Sequence, residues 1–263
     1  MKVFITGASS GIGNALAHEY AKRYSGRCTV IGFVSRRSEH LQQLADELQT
    51  KHQITCPIYP LDVRDSAALQ AAAQDFIARF GTPDIVIANA GVSRGTLTEH
   101  KEDIAAFQAI MDINVMGMVH TFQPFIAAMK ASGQGQLVGV ASVAGIRGLP
   151  GASAYSASKA AVITYLESLR VEMARDNITV TTIAPGYIRT PMTAVNQYKM
   201  PFLMDAEVFA LKFATAVKRK RRLCVIPWQM GVLARLMRFV PPFLWDWAMR
   251  NAPQKSRANW DWL

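Results

Sequence analysis

Tyr155 and Lys159 stand four residues apart in a stretch of helical spacing, so both project from one helix face. An ammonium held near a phenol favours the phenolate and lowers the tyrosine's pKa. A phenol tuned in this way can pass a proton to or from an alcohol or carbonyl oxygen. A snorkelling lysine beside a half-buried tyrosine gives the same pattern by chance, so the rest of the chain decides what the pair means. Ser142 follows a strand-like run at 136–141, and its hydroxyl therefore stands at the carboxyl edge of a sheet, where open parallel sheets bind ligands. Asn114 lies between Ile113 and Val115 in an apolar stretch. If buried it needs hydrogen-bond partners, whether its role is chemical or structural.

The elements that must position these side chains alternate in type. Residues 2–6 form a short apolar run that stops at Gly7, and Gly7-Ala8-Ser9-Ser10-Gly11-Ile12-Gly13 leads into a helical pattern through Leu16, Tyr20 and Tyr24. Strand, glycine turn and helix together make a phosphate cradle: backbone approaches a pyrophosphate and the helix N-terminus offers free N–H groups. A second strand at 28–34 ends in Ser35-Arg36-Arg37. An acidic residue there would accept from a ribose 2′-hydroxyl and select NAD; a serine and two arginines suit a 2′-phosphate, so NADP (NADPH) is expected over NAD. A helix at 38–51, a strand at 54–61 broken at Pro57 and Pro60, and then Asp62-Val63 follow. Asp65 is the expected cap of the next helix, leaving Asp62 free for an adenine amino group. An apolar strand at 84–88 runs into Asn89-Ala90-Gly91, where small residues let backbone lie against a flat ligand. One long helix at about 104–130 carries Asn114. A strand at 178–183 leads to Pro185-Gly186-Tyr187-Ile188-Arg189-Thr190. The alternation predicts an α/β fold: a Rossmann-like, doubly wound parallel sheet of about seven strands with helices on both faces.

The chain has 263 residues, 50% of them apolar, enough for one large domain with a substantial core. Cys28, Cys56 and Cys224 lie far apart; neither a disulfide framework nor a metal site is expected, and a reducing, cytoplasmic setting fits. The N-terminus enters a strand directly, so no signal peptide is expected. No apolar run reaches the roughly 18–20 residues of a membrane-spanning helix. The net charge of +10 is uneven: residues 211–263 hold 11 Lys/Arg against 2 Asp/Glu, and all five tryptophans lie there.

Taken in order, the segments Thr6 to Gly13, Asp62-Val63, Asn89-Ala90-Gly91, Asn114, Ser142, Tyr155-x-x-x-Lys159, and Pro185-Gly186 with Thr190 resemble the short-chain dehydrogenase/reductase family over nearly three quarters of the chain. The resemblance implies roles. Tyr155 is the general acid in carbonyl reduction and the base in alcohol oxidation, and Ser142 holds the substrate oxygen. Lys159 binds the nicotinamide ribose and lowers the Tyr155 pKa, and Asn114 holds a water linking Lys159 to solvent. The cofactor is expected against Gly7, Ser9, Ser10, Gly11, Ile12, Gly13, Ser35, Arg36, Arg37, Asp62, Val63, Asn89, Ala90, Gly91, Tyr155, Lys159, Pro185, Gly186, Ile188 and Thr190. Two positions depart from the family pattern: Ala88 stands where many members carry a second asparagine, and Ser10 where some NADP-preferring members carry arginine.

A single catalytic domain is expected over 1–228, with a substrate lid at about 190–218. Its Met192, Val195, Tyr198, Met200, Phe202, Leu203 and Met204 are apolar and adaptable, which suits a hydrophobic carbonyl or alcohol substrate. Ser93, Arg94, Ile146 and Leu149 are expected to add to the pocket. The extension at 229–263 reads as two helices, the first with Gly231, Arg235 and Arg238 on one narrow face. Basic, Trp-rich and apolar, it can lie peripherally on the inner face of a membrane, or cover the cleft or another subunit; both readings stand. Nucleic-acid binding is not expected, because the cations interleave with a thick apolar face. The resemblance implies a homodimer or homotetramer paired through the helices of Asn114 and Tyr155. An alternative of another class is a non-catalytic NADP(H)-binding sensor acting through the tail, against which Ser142, Tyr155 and Lys159 argue.

Overall fold

The computed structural model describes residues 1–27 and 29–257; Cys28, where the second strand was expected to begin, and Trp260 and Trp262 lie outside the described residues. Among the described residues nine strands and ten α-helices follow in order: β1 (Lys2–Thr6), α1 (Gly11–Arg23), β2 (Val30–Ser35), α2 (Ser38–His52), β3 (Ile58–Pro60), α3 (Ser66–Phe80), β4 (Ile85–Ala88), α4 (Asp103–Met111), α5 (Gly117–Ser132), β5 (Gly135–Val140), α6 (Ser153–Met173), β6 (Ile178–Pro185), β7 (Ile188–Arg189), α7 (Pro191–Ala194), β8 (Met204–Asp205), α8 (Ala206–Lys218), β9 (Leu223–Ile226), α9 (Trp228–Phe239) and α10 (Pro242–Met249).

Seven strands form one parallel sheet in the order β3-β2-β1-β4-β5-β6-β9. The side-chain period of two sends alternate residues of each strand to opposite faces. Val3, Ile5, Ile85 and Ile87 pack with α1, α2 and α8. Phe4, Val86 and Ala88 pack with the α3, α5 and α6 side, where Phe4 meets Phe76 edge-on at 5.5 Å between ring centroids. Both faces are covered, so the central strands are apolar throughout, as parallel sheets require. The strand order reverses between β1 and β4, and ligands of such sheets bind in the crevice outside that switch point.

Three expectations change in detail. The third strand, expected to be broken at Pro57 and Pro60, is only Ile58–Pro60: Pro57, which cannot donate to a ladder, precedes it, and an isolated bridge joins Thr55 to Val30. The expected helix at 104–130 is interrupted by a π turn, Asp112–Met116, centred on Asn114. On α9, Gly231, expected on one narrow face with Arg235 and Arg238, is buried with Met230 and Ala234, and a Cβ there would stand 3.1 Å from Val225 Cβ. Asp65 caps α3 as expected, accepting from Ala68 N–H at 2.9 Å.

Candidate active site

The glycine turn and the turn after β4 meet at the switch point. Gly7 (φ +72°) adopts the left-handed region, and a Cβ on it would stand 2.8 Å from Ala90 Cα. A Cβ on Gly13 would lie 2.1 Å from Gly7 O and 2.7 Å from Asn89 Nδ2. Asn89 ties the two turns together: Nδ2 donates to Thr6 O (3.0 Å) and Gly7 O (3.2 Å), and its backbone N–H donates to Thr6 Oγ1. No side chain caps the N-terminus of α1, and the first-turn N–H groups have no partner within the helix. This cradle fits the phosphates of a dinucleotide. Thr190 closes its rim, with Cγ2 3.2 Å from the position a Gly11 Cβ would take.

At the end of β2 the Arg37 guanidinium donates to Ser9 Oγ (2.9 Å) and Ser10 Oγ (2.7 Å), and Ser35 Oγ accepts from Arg37 N–H. Arg37 therefore links the ribose end of the crevice to the phosphate cradle. Asp62 is not left free. Its carboxylate accepts from Arg64 at 2.8 Å and pairs with Arg36 at 3.7 Å, contacts that, with the Arg64 backbone N–H, outweigh burial and hold its pKa below the usual range. Val63 is buried under α5, where Gly117 makes room for it. Gly186 owes its missing side chain to the tail as well as to the crevice: a Cβ there would meet Met230 Cγ of α9 at 2.7 Å. Pro185 and Ile188 are buried beside it.

Ser142, Tyr155, Lys159 and Asn114 converge. A short 3-10 turn, Val143–Gly145, is capped by Ser142, whose Oγ accepts from Ala144 N–H at 3.2 Å. Gly145 lets that turn lie on the α6 backbone, since a Cβ would stand 2.5 Å from the Lys159 carbonyl carbon; Ser142 is thereby carried up to Tyr155. Burial raises the Tyr155 pKa, and a hydrogen bond with Ser142 pulls it back. Lys159 is buried, with Nζ 5.9 Å from the Tyr155 ring centroid and donating to Val140 O at 2.9 Å. The expected downward pull of Lys159 on the phenol is not what sets its balance. Desolvation acts on both groups, raising the tyrosine and pushing the lysine down to about 8.

Asn114 is fully buried. Oδ1 accepts from Val92 N–H (2.8 Å), and Nδ2 donates to Val92 O (3.0 Å) and Ser158 Oγ (2.9 Å). A carboxamide oxygen has two lone pairs, so one acceptor position remains. Oδ1 stands 3.1 Å, and Lys159 Nζ 3.5 Å, from where a Gly91 Cβ would be. Ser158, which sequence reasoning passed over inside Tyr-x-x-x-Lys, donates to Tyr155 O at 2.8 Å and joins Asn114 to the α6 turn of the phenol.

The segment expected to form a lid is anchored by Arg189 and Asp205 (2.8 Å) between β7 and β8. Tyr198 packs edge-on to Tyr187 at 6.2 Å, and burial, then the nearby Tyr187 and Tyr155 phenols, raise its pKa. Of the expected pocket residues Ser93 is buried beside the site, whereas Arg94 is turned to Asp103 (3.4 Å). The tail docks on the loop after Ser142. Arg147 donates to Met237 O (2.8 Å) and Val240 O (2.7 Å) and stacks on Trp245 at 4.6 Å.

Fold and site define a nicotinamide-type α/β oxidoreductase. The family profile for short chain dehydrogenases matches residues 1–200. A protein described as an uncharacterized oxidoreductase from Myxococcus xanthus is 38% identical, the match covering 94% of this chain and 95% of that one. An 11-beta-hydroxysteroid dehydrogenase A from Sesamum indicum is 36% identical over 73% of this chain and 53% of its own. The solved L-sorbose reductase of Gluconobacter frateurii, in complex with NADPH and L-sorbose, superimposes with a TM-score of 0.76 at 25% identity, covering 86% of this chain and 94% of that one. The chain belongs to the short-chain dehydrogenase/reductase family and is an oxidoreductase acting on CH–OH groups.

Proposed function

We propose that this protein interconverts a carbonyl and an alcohol on a hydrophobic substrate with NADP(H). The observation that carries the reading is the meeting of Ser142, Tyr155 and Lys159 beside a dinucleotide-shaped cradle. Bound nicotinamide would supply or accept the hydride. Everything else falls to this chain. Ser142 Oγ holds the substrate oxygen against the Tyr155 hydroxyl. Tyr155 gives that oxygen its proton in reduction and takes it in oxidation. Lys159 Nζ, close to the ring, is placed for the nicotinamide ribose and for charge stabilisation of the phenolate. The spare lone pair of Asn114 Oδ1, facing Lys159 across Gly91, suits a relay water. Arg37, with Ser9, Ser10 and Ser35 around it, suits a 2′-phosphate, which supports NADP. The named substrates of the steroid- and sorbose-acting relatives differ widely, so the hydrophobic preference rests on the lid with its Met192, Tyr198 and Met200. The test is a panel of ketones and aldehydes followed by NADPH absorbance, with alcohols and NADP+ in reverse. Failure of every carbonyl would favour the non-catalytic sensor instead.

Two associations complete the reading. Ile104, Phe107 and Met116 are exposed on α4 and its π turn, which supports pairing into a homodimer or homotetramer. The extension exposes Leu236, Phe239, Phe243 and Trp247, beside Arg235 and Arg250, and Trp228 is exposed just before it. That mixture supports peripheral contact with an anionic lipid surface. Among the described residues no helix is long and apolar enough to cross a membrane. Sedimentation with anionic liposomes, comparing the wild type with a Phe239→Ser/Phe243→Ser/Trp247→Ser variant, tests the lipid contact.

A further inference from the structure

Residues 252–257, beyond α10, carry no regular structure, yet they are clamped beside the active site. Gly95 N–H donates to Ser256 O at 2.9 Å, and Arg94 donates to Arg257 O at 2.8 Å. Arg257 Nε reaches Asp103 Oδ2 at 2.7 Å and its terminal nitrogen reaches Glu102 at 3.3 Å. Two glycines make the room. A Cβ on Gly95 would stand 2.1 Å from Lys255 O, and one on Gly151 would stand 2.7 Å from Gln254 Cβ. Arg94 and Asp103 are themselves buried, so the clamp reaches into the folded body.

The clamp delivers Lys255. Its Nζ donates to the buried Ser93 Oγ at 2.7 Å and stands 5.7 Å from the Tyr155 ring centroid. Desolvation pushes its pKa down to about 8. Among the described residues no carboxylate pairs with it; the nearby acids of the clamp, Glu102 and Asp103, are bound by Arg257. A second ammonium, Lys159, lies 5.9 Å from the same ring. Burying an ammonium without an anion is costly, and the cost is recovered when an anion arrives with the ligand.

We propose that Lys255, with Ser93, binds an anionic group on the substrate, so that the enzyme selects carbonyl or alcohol compounds bearing a carboxylate or phosphate near the reacting carbon. This rests on the oxidoreductase reading of Ser142, Tyr155 and Lys159. The apolar lid then takes the remainder of an amphipathic molecule. The anion and the reacting oxygen are held at two fixed points, which orients the carbonyl against Tyr155.

The test uses the full chain with NADPH. Reductive methylation of Lys255 is followed by mass spectrometry in the presence of octanoate, octyl phosphate or the neutral octanamide. Slowing by about ten-fold or more with one of the anions, and not with octanamide, is expected. Octanoate and octyl phosphate tell carboxylate from phosphate, and protection by neither anion overturns the proposal. In turnover, oxo acids are compared with their methyl esters. Lys255→Met is expected to narrow the ratio of kcat/KM between acid and ester by about ten- to a hundred-fold, and Lys255→Arg to restore most of it. An unmoved ratio overturns the proposal. So does an equal fall for acid and ester with a shifted pH profile, which would place Lys255 on the phenol rather than on the substrate. The labelling reads Lys255 without turnover. Protection without any reduction would therefore count against the oxidoreductase reading alone.

Discussion

Asn114 Nδ2 donates to Ser158 Oγ at 2.9 Å, and the same hydroxyl donates to Tyr155 O. The π turn that holds Asn114 and the helix that holds Tyr155 are thus joined by one buried hydroxyl. π turns recur at functional sites because they re-aim a side chain within a helix, and here the re-aimed group is a fully buried amide. Ser158→Ala removes the acceptor of one Asn114 proton. Urea unfolding should show a loss of about 1–3 kcal/mol, the cost of an unsatisfied buried donor. Turnover should fall as well, because the turn carrying Tyr155 loses its tie.

Tyr155→Phe keeps the ring and removes the hydroxyl, so packing and nucleotide binding should survive while carbonyl reduction is lost. General acid catalysis is worth roughly a hundred- to ten-thousand-fold. The measurement is NADPH binding by fluorescence titration alongside steady-state rates. Unchanged turnover would end the assignment of Tyr155.

Much of this was legible in the sequence because the signals are local. A glycine turn between strand and helix, small residues after β4, and a hydroxyl at the end of β5 are readable from a few neighbouring residues. What could not be read depends on distant parts of the chain. Asp62 appeared free although one partner, Arg64, stands only two residues away; the other, Arg36, meets it only once β2 and β3 lie side by side. Gly186 looked like a nucleotide-contacting residue, and its packing against Met230 appears only when α9 docks. Lys255 is separated from Tyr155 by a hundred residues of chain, and no periodicity announces such a contact. The balance at Tyr155 is legible only in part: spacing shows a nearby ammonium, whereas the desolvation of both groups follows from packing.

Gly13→Ala tests the cradle. Its Cβ would fall 2.1 Å from Gly7 O and 2.7 Å from Asn89 Nδ2, so the tie between the two turns must open. Overpacking of this kind costs about 1–3 kcal/mol. A lower melting temperature and loss of NADPH affinity are expected together. Thermal unfolding with and without nucleotide checks both, and unaltered nucleotide affinity would remove Gly13 from the phosphate site.

Arg37 tests the choice of cofactor. Its guanidinium is held by two serine hydroxyls, and among the described residues no carboxylate neutralises it, whereas Arg36 is paired with Asp62. Arg37→Ala should raise the KM for NADPH by about ten- to a hundred-fold, the scale of a charge-assisted hydrogen bond, with little change for NADH. A wild-type preference for NADH would refute the NADP reading outright.

Lys159 should leave a signature in the pH dependence of stability. Its pKa falls from the ordinary 10.5 to about 8 on folding, through desolvation. Between those values the unfolded chain holds a proton that the folded chain has released. Stability therefore rises with pH across that window, the unfolded state binding more protons. Below about pH 8 the folded protein bears the full cost of a buried ammonium, on the order of 3 kcal/mol for a shift of this size. Lys159→Met removes the titration while keeping an unbranched chain. Relative to that variant, the nucleotide-free wild type should gain several degrees in Tm as the pH is raised from 8 towards 10. The buried tyrosines, whose raised pKa values weaken folding at the alkaline end, are common to both proteins and cancel in the difference. A difference that stays flat would mean that Lys159 titrates as an exposed lysine and that the site is wetter than its burial indicates.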